Sequence, residues 1–206
     1  PLWSRGLGDV YKRQAEDSSK NLEVDIYPSG VLGAEPSTVE MVQAGVLDMA
    51  KVSANTLGQF DERYSIFSLP YLFRNQEHYY NAMANSEGIQ ELFESTRDKG
   101  YIAIGYYANG ARNYYLKEDK AVTDPSVLKG KKIRAMVSST SMEMIELMGG
   151  SPVPMASSET YTSLQQGIVD GAENTELALT VDKHEEIVKS YTYTEHQYSP
   201  DIYITS

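Results

Sequence analysis

Hydrophobic residues recur along this chain in two rhythms, one of period two and one of period three to four, and the two take turns. Residues 21–27 alternate Leu22, Val24 and Ile26 with Glu23 and Asp25, which predicts a half-buried strand stopped by Pro28-Ser29-Gly30. Residues 38–44 put Val39 and Val42 on one helical face, with Pro36 where a first turn accepts it and Gly45 where a helix stops. A strand over 46–52 follows, then a polar connection over 57–64. Residues 65–73 are apolar but interrupted by Pro70, which predicts a bent, buried segment. Asn75 opens a helix to about residue 84. Ser86 opens another to about residue 99, with Ile89, Leu92, Phe93 and Thr96 on one face. Residues 101–108 show little polar alternation, so that strand is expected to be covered on both faces.

The second half repeats the scheme. It reads as a turn over 109–113, a strand over 114–117, one capped helical turn over 124–130 and a strand over 131–137. A helix over 140–148, a short extended stretch over 153–155, and a helix opened by Ser157 or Ser158 and ended by Gly167 complete it. Alternation of strands and helices predicts an α/β fold with mainly parallel sheets. One device occurs twice: Gln43-Ala44-Gly45-Val46-Leu47-Asp48 and Gln165-Gln166-Gly167-Ile168-Val169-Asp170 both end a helix at glycine and enter a sheet through an apolar pair. Taken alone the phrase is a common helix-to-strand turn. Two copies suggest two similar lobes with a cleft, and ligands bind at the carboxyl ends of such strands.

Composition narrows the function. The chain has 206 residues, 41% hydrophobic and 23% charged, with a net charge of −11. No cluster of Lys and Arg suited to phosphates accompanies that charge, which disfavours nucleic acid and favours a soluble monomer. Cysteine is absent, so disulfides, zinc-thiolate sites and thiol nucleophiles are excluded. No apolar run approaches the ~20 residues of a membrane span. His78, His184 and His196 lack metal-ligand spacing, and phosphate loops and nucleophile elbows are missing, so neither metal nor cofactor is expected. One enzymatic alternative is a carboxylate pair, Asp170 and Glu173, acting on glycosides. A non-catalytic carbohydrate-adhesion module using the 16 tyrosines is another.

Residues 4–14 read as a translation of the transposon adapter used to fragment sequencing libraries, so residues 1–14 are expected to be a non-native scar. Setting them aside takes the net charge to −13, because Arg5, Lys12 and Arg13 outnumber Asp9 by two.

Longer motifs point to a family. Lys129-Gly130-Lys131-Lys132-Ile133-Arg134, Met148-Gly149-Gly150-Ser151-Pro152-Val153-Pro154-Met155, Glu159-Thr160-Tyr161 and residues 164–174 come in a fixed order. Tyr27-Pro28, Leu32-Gly33, Gly45-Val46-Leu47-Asp48-Met49, Leu69-Pro70-Tyr71-Leu72-Phe73 and Gly110-Ala111-Arg112 precede them. Over residues 20–206 this series resembles the substrate-binding proteins of tripartite ATP-independent periplasmic (TRAP) transporters, of the dicarboxylate-binding (DctP) type. The resemblance implies a two-lobed, flytrap-like fold, here incomplete at both ends. It implies one partial lobe over 15–108 and a second over 109–206 that includes hinge crossings. It also implies an exported protein that hands a small organic acid to a membrane permease driven by an ion gradient. Sugar acids such as uronates are the expected ligands, with C4-dicarboxylates as the alternative.

By the same resemblance, Arg134 pairs with the ligand carboxylate, Arg112 is a second ligand-contacting arginine, and Asn174 is an amide contact. The physical case stands beside it. A carboxylate taken out of water loses several kcal/mol of solvation, and a guanidinium fork restores it best. Arg134 lies within a predicted strand between Ile133 and Ala135, where an unpaired charge is costly. Glu173 is expected to orient an arginine, and Asp170 to satisfy backbone donors. Tyr71 is a candidate stacking surface, though its apolar surroundings also suit the core. Asn55, with Asn109, Asn113, Asn174, Glu173 and His196, is a candidate partner for ligand hydroxyls.

Overall fold

The computed structural model describes residues 23–206. The predicted scar over 1–14 and the start of the predicted strand over 21–27 lie outside them. Residues 23–28 carry no strand, and Ile26 and Tyr27 are exposed. Residues 33–206 form one compact unit, and the rest of the description concerns that unit.

Eight strands make two sheets. In the first, β1 (Met49–Ser53) and β2 (Ile102–Tyr107) flank β8 (Asp201–Thr205), which runs antiparallel to both. The second has the order β5-β4-β6-β3-β7. Its members are β3 (Arg112–Leu116), β4 (Lys132–Ala135), β5 (Ser151–Pro154), β6 (Gly171–Asn174) and β7 (Ser190–Gln197). The α/β class holds. The expectation of mainly parallel pairing is met only over β5, β4 and β6, whereas β3 pairs antiparallel with β6 and β7. The connections from β4 to β5 and from β5 to β6 pass through helices, as parallel neighbours require, and β7 and β8 are separated by only three residues. That short link carries the chain from the second sheet straight into the centre of the first.

Each sheet has its own core. Val39 and Val42 of helix α1 (Glu35–Gln43) pack with Val52, Leu57, Tyr64, Phe67, Ile202 and Ile204 on the first. The second has Tyr114, Leu116, Leu128, Ile133 and Ile145 in one cluster, and Tyr115, Leu164, Val169 and Ala172 in another. A fully buried Leu or Ile of this kind contributes roughly 1.5–3 kcal/mol. The apolar stretch over 65–73 divides. Phe67 and Phe73 are buried, while Leu69 and Tyr71, on either side of Pro70, are exposed. β2 is not covered on both faces: it is an edge strand, interrupted between Ala103 and Gly105, and Ile104 is exposed.

The repeated device has the same geometry in both copies. Gly45 (φ 67°) and Gly167 (φ 72°) are left-handed, and the following residue donates back to the helix, Val46 to Met41 O and Ile168 to Ser163 O, each at 2.9 Å. The apolar pair anchors less than expected, because Val46 and Ile168 are both exposed and only Val169 is fully buried. A further glycine is fixed by contact rather than by its φ. A Cβ on Gly171 would stand 2.4 Å from Tyr115 O, so β6 and β3 can approach only with glycine there.

Candidate functional site

The second sheet sets two arginines on strands that both neighbour β6. Arg134 of β4 pairs in register with Ala172, and β3, which begins at Arg112, pairs Tyr114 with Glu173. Both side chains are buried, Arg112 at 8% and Arg134 at 4% relative exposure. Their partners differ completely.

Arg112 is neutralised within the protein. Its Nε donates to Glu173 Oε2 at 2.5 Å, and its Nη2 donates to Glu173 Oε1 and to the Glu173 carbonyl, each at 2.9 Å. This is the two-pronged guanidinium–carboxylate pairing that gives both strength and orientation. His196 Nε2 lies 3.4 Å from Glu173 Oε2, and the His196 ring stacks on Tyr114 at 4.6 Å. Burial alone would raise the Glu173 carboxyl, but Arg112 and His196 bring it down to about 2. Burial likewise opposes the Arg112 charge, and Glu173 more than restores it. Glu173 thus engages Arg112 through both of its carboxylate oxygens.

Among the described residues Arg134 has no such partner. Its Nη2 donates to Met155 O at 2.9 Å, and its buried Nε has no hydrogen-bond acceptor among the described residues. Burial first, and then the Arg112 charge, lower its pKa. A desolvated guanidinium without an anion carries a penalty of several kcal/mol, which a bound carboxylate would relieve.

Each of the other candidates has partners of its own. Asn174 Oδ1 accepts from Thr175 N at 2.9 Å, and its carbonyl accepts from Tyr191 OH at 3.2 Å. The cap of the next helix belongs to Thr175, whose Oγ1 accepts from Ala178 N, so Asn174 keeps its amide nitrogen for other work. Asn55 is buried and heavily engaged. Its Oδ1 accepts from Ser199 Oγ at 2.6 Å, and its Nδ2 faces Met136 Sδ at 3.3 Å and Ser141 Oγ at 3.4 Å. It therefore cross-links three segments. Tyr71 is not core: it is exposed, left-handed (φ 55°), and tied through its N–H to His196 O at 2.7 Å. Asn113 spends its amide on Ala111 O, Tyr191 OH and Glu195 N–H, and Asn109 donates to Asp201 Oδ2 at 2.6 Å.

The glycosidase alternative fails on geometry. Asp170 Oδ2 accepts from Lys132 N at 2.8 Å and latches β4 to the chain entering β6. Glu173 is held ionised in its ion pair, so neither carboxyl is placed to deliver a proton. Among the described residues no cluster of His, Asp and Glu could hold a metal, and no helix is long and apolar enough to cross a membrane.

Sequence reasoning overlooked Glu35, Lys51 and Asp201. Lys51 Nζ lies 2.9 Å from Asp201 Oδ2 and 3.9 Å from Glu35 Oε1. Nothing local marks them, since Lys51 and Asp201 are 150 positions apart and meet only because β8 inserts beside β1.

Comparisons with known proteins identify the family. The profile of the family described as "Bacterial extracellular solute-binding protein, family 7" matches residues 3–206. The uncharacterised protein YiiZ of Salmonella typhimurium is 44% identical over 193 residues, covering 93% of this chain and 58% of that protein. A TRAP periplasmic solute-binding protein from Anaerococcus prevotii, solved with bound α/β-D-glucuronate, superposes with a TM-score of 0.93 at 38% identity. The match covers 98% of this chain and 66% of that one. Another from a Sulfitobacter species, solved with β-D-galacturonate, has a TM-score of 0.91 at 31% identity, covering 96% of this chain and 66% of its own. The chain thus spans under two thirds of these relatives. The family profile matches nearly its whole length, and the structural likeness runs through both sheets: the chain belongs to the family 7 bacterial extracellular solute-binding proteins, which are binding proteins and not enzymes.

Proposed function

We propose that the protein containing this chain captures a sugar acid, with a uronate as the best candidate, and delivers it outside the cytoplasm to a TRAP-type permease driven by an ion gradient. The observation that carries the reading is Arg134, a buried guanidinium with no ion-pair partner among the described residues, beside an arginine that Glu173 already satisfies. In this reading Arg134 takes the ligand carboxylate and the remaining donors of Arg112 support it. Asn174 supplies amide donors to the same end of the ligand, and Tyr71 covers it from the segment tied to the hinge. In the same reading residues 15–108 belong to the first lobe and 109–206 mainly to the second, with β8 as a hinge crossing. Glucuronate and galacturonate in the two solved relatives support a sugar acid as the ligand class.

Thermal-shift and calorimetric screening against uronates, aldonates and C4-dicarboxylates tests the proposal. A uronate or aldonate should raise the melting temperature and bind near micromolar, about −8 kcal/mol. Binding confined to C4-dicarboxylates, or to neutral sugars, would refute it.

A further inference from the structure

Two short links carry the chain between its sheets. Residues 108–111 lead from β2 to β3, and residues 198–200 lead from β7 to β8. β2 ends where β8 begins, with Tyr107 opposite Asp201, so the links leave the first sheet from adjacent strands. One side-chain bond ties them: Asn109 Nδ2 donates to Asp201 Oδ2 at 2.6 Å.

Asn109 is followed by Gly110, the only Asn-Gly pair in the chain. Such a pair is chemically labile, because glycine has no Cβ to keep its peptide nitrogen away from the preceding side-chain amide. Gly110 is left-handed (φ 90°), and nothing lies within 4 Å of where a Cβ would stand. Its N–H has no hydrogen-bond partner among the described residues, and both Asn109 and Gly110 are half-buried and so reached by water. Two similar pairs elsewhere are locked. Asn85 precedes Ser86, whose N–H donates to Ala82 O at 2.9 Å. Asp170 precedes Gly171, but its carboxylate accepts from Lys132 N at 2.8 Å, and Gly171 is boxed in by Tyr115 O. Among the described residues the bond to Asp201 is the single restraint on the Asn109 amide.

Independently of the carboxylate reading, we infer that Asn109 is a site of spontaneous deamidation in the folded protein, and that the change unties the two links. Hydroxide takes the proton of the Gly110 peptide nitrogen, which attacks Asn109 Cγ. A C–N bond forms there and the bond to the side-chain nitrogen breaks. That nitrogen takes a proton from water and leaves as ammonia, with a cyclic succinimide behind it. Water then opens either C–N bond of the ring and gives aspartate or isoaspartate. Water is consumed, ammonia is released, and nothing is oxidised or reduced. The product has a carboxylate where an amide donated to Asp201, so a hydrogen bond becomes a pair of like charges. Lys51 already pairs with Asp201 at 2.9 Å and cannot neutralise both.

Incubation of the folded chain at mildly alkaline pH, followed by peptide mapping with mass spectrometry, tests this. The peptide holding Asn109 should gain the mass of amide hydrolysis at least about tenfold faster than the peptide holding Asn85. Isoaspartate should appear at the same position, read by labelling with an isoaspartyl methyltransferase. Asn109→Gln, which would have to close a larger ring, should lose both signals. Asn109→Asp, which carries the new charge, should melt about 2–4 °C below the parent. Equal rates at Asn109 and Asn85 overturn the inference. So does a rate at Asn109 that rises by more than about tenfold in urea, since the fold would then be protecting the site. An unchanged melting temperature in Asn109→Asp refutes the untying of the links.

Discussion

Arg112 and Arg134 are the same side chain, buried to nearly the same degree, on strands that flank the same neighbour, and they are in opposite electrostatic states. Among the described residues Arg112 meets a carboxylate of its own chain with two prongs, while Arg134 meets one backbone carbonyl. The difference separates a structural cation from a receptive one. A protein can desolvate a guanidinium at tolerable cost only if an anion restores what water supplied. Where the chain supplies that anion, the pair stiffens the sheet. Where it does not, the fold carries a standing penalty that an incoming carboxylate removes.

The largest expected effect breaks the closed member of the pair. Glu173→Gln leaves Arg112 buried without an ionised partner and should destabilise the fold by about 3–5 kcal/mol, read by urea denaturation. The same pair carries a pH signature. The folded Glu173 carboxyl titrates at about 2, below its unfolded value near 4.3. Its stabilisation is therefore complete above that unfolded value and is lost as pH falls through the folded one. Melting temperature should drop below about pH 4 in the parent and show a shallower drop in Glu173→Gln. Identical slopes would mean that Glu173 is not the group responsible.

Next comes the open member. Arg134→Ala should weaken sugar-acid binding by about 2–5 kcal/mol, because the ligand carboxylate would then be desolvated alone. Arg134→Met, which fills the volume without the charge, should leave stability unchanged or raise it by about 1–4 kcal/mol. Opposite signs for binding and stability at Arg134, set against loss of stability at Glu173, are the sharpest form of the comparison. A loss of binding under tenfold in Arg134→Ala would place the carboxylate elsewhere.

Smaller effects probe what holds the two arginine strands in place. Gly171→Ala drives a methyl into Tyr115 O and Leu116 Cδ2 and should cost about 1–3 kcal/mol of stability, with a secondary loss of affinity. Smallest is Asp61→Asn, in the first sheet's half. Asp61 caps a 3-10 turn through Arg63 N–H at 3.1 Å and pairs with Lys99 at 2.9 Å. Its loss should cost about 1 kcal/mol and leave ligand affinity unchanged. A change in affinity would extend the site beyond the arginine pair.

The local sequence determined a good deal. The alternation of rhythms specified the helices and most strands, because a buried face of period two or near 3.6 is written in consecutive residues. The glycine stops at 45 and 167 were legible for the same local reason, since only glycine adopts those backbone angles without strain. Arg134 could be singled out as well, because a charge between Ile133 and Ala135 has no innocuous burial. The family motifs then linked it to Arg112, Glu173 and Asn174.

Tertiary structure decided the rest. Which arginine is already satisfied depends on Glu173 lying 61 positions from Arg112, across a β3–β6 pairing that no local pattern encodes. Antiparallel pairing in the second sheet arose because β3 lies between β6 and β7, segments far from it along the chain. Asn55 became a cross-link and Tyr71 an exposed flap for the same reason, through contacts with residues 194–199 far along the chain. The cluster of Glu35, Lys51 and Asp201 exists only because a strand from the far end of the chain inserts beside β1. Backbone preference acts between neighbours and is written locally. Charge pairing acts through space, and only the folded chain brings its partners together.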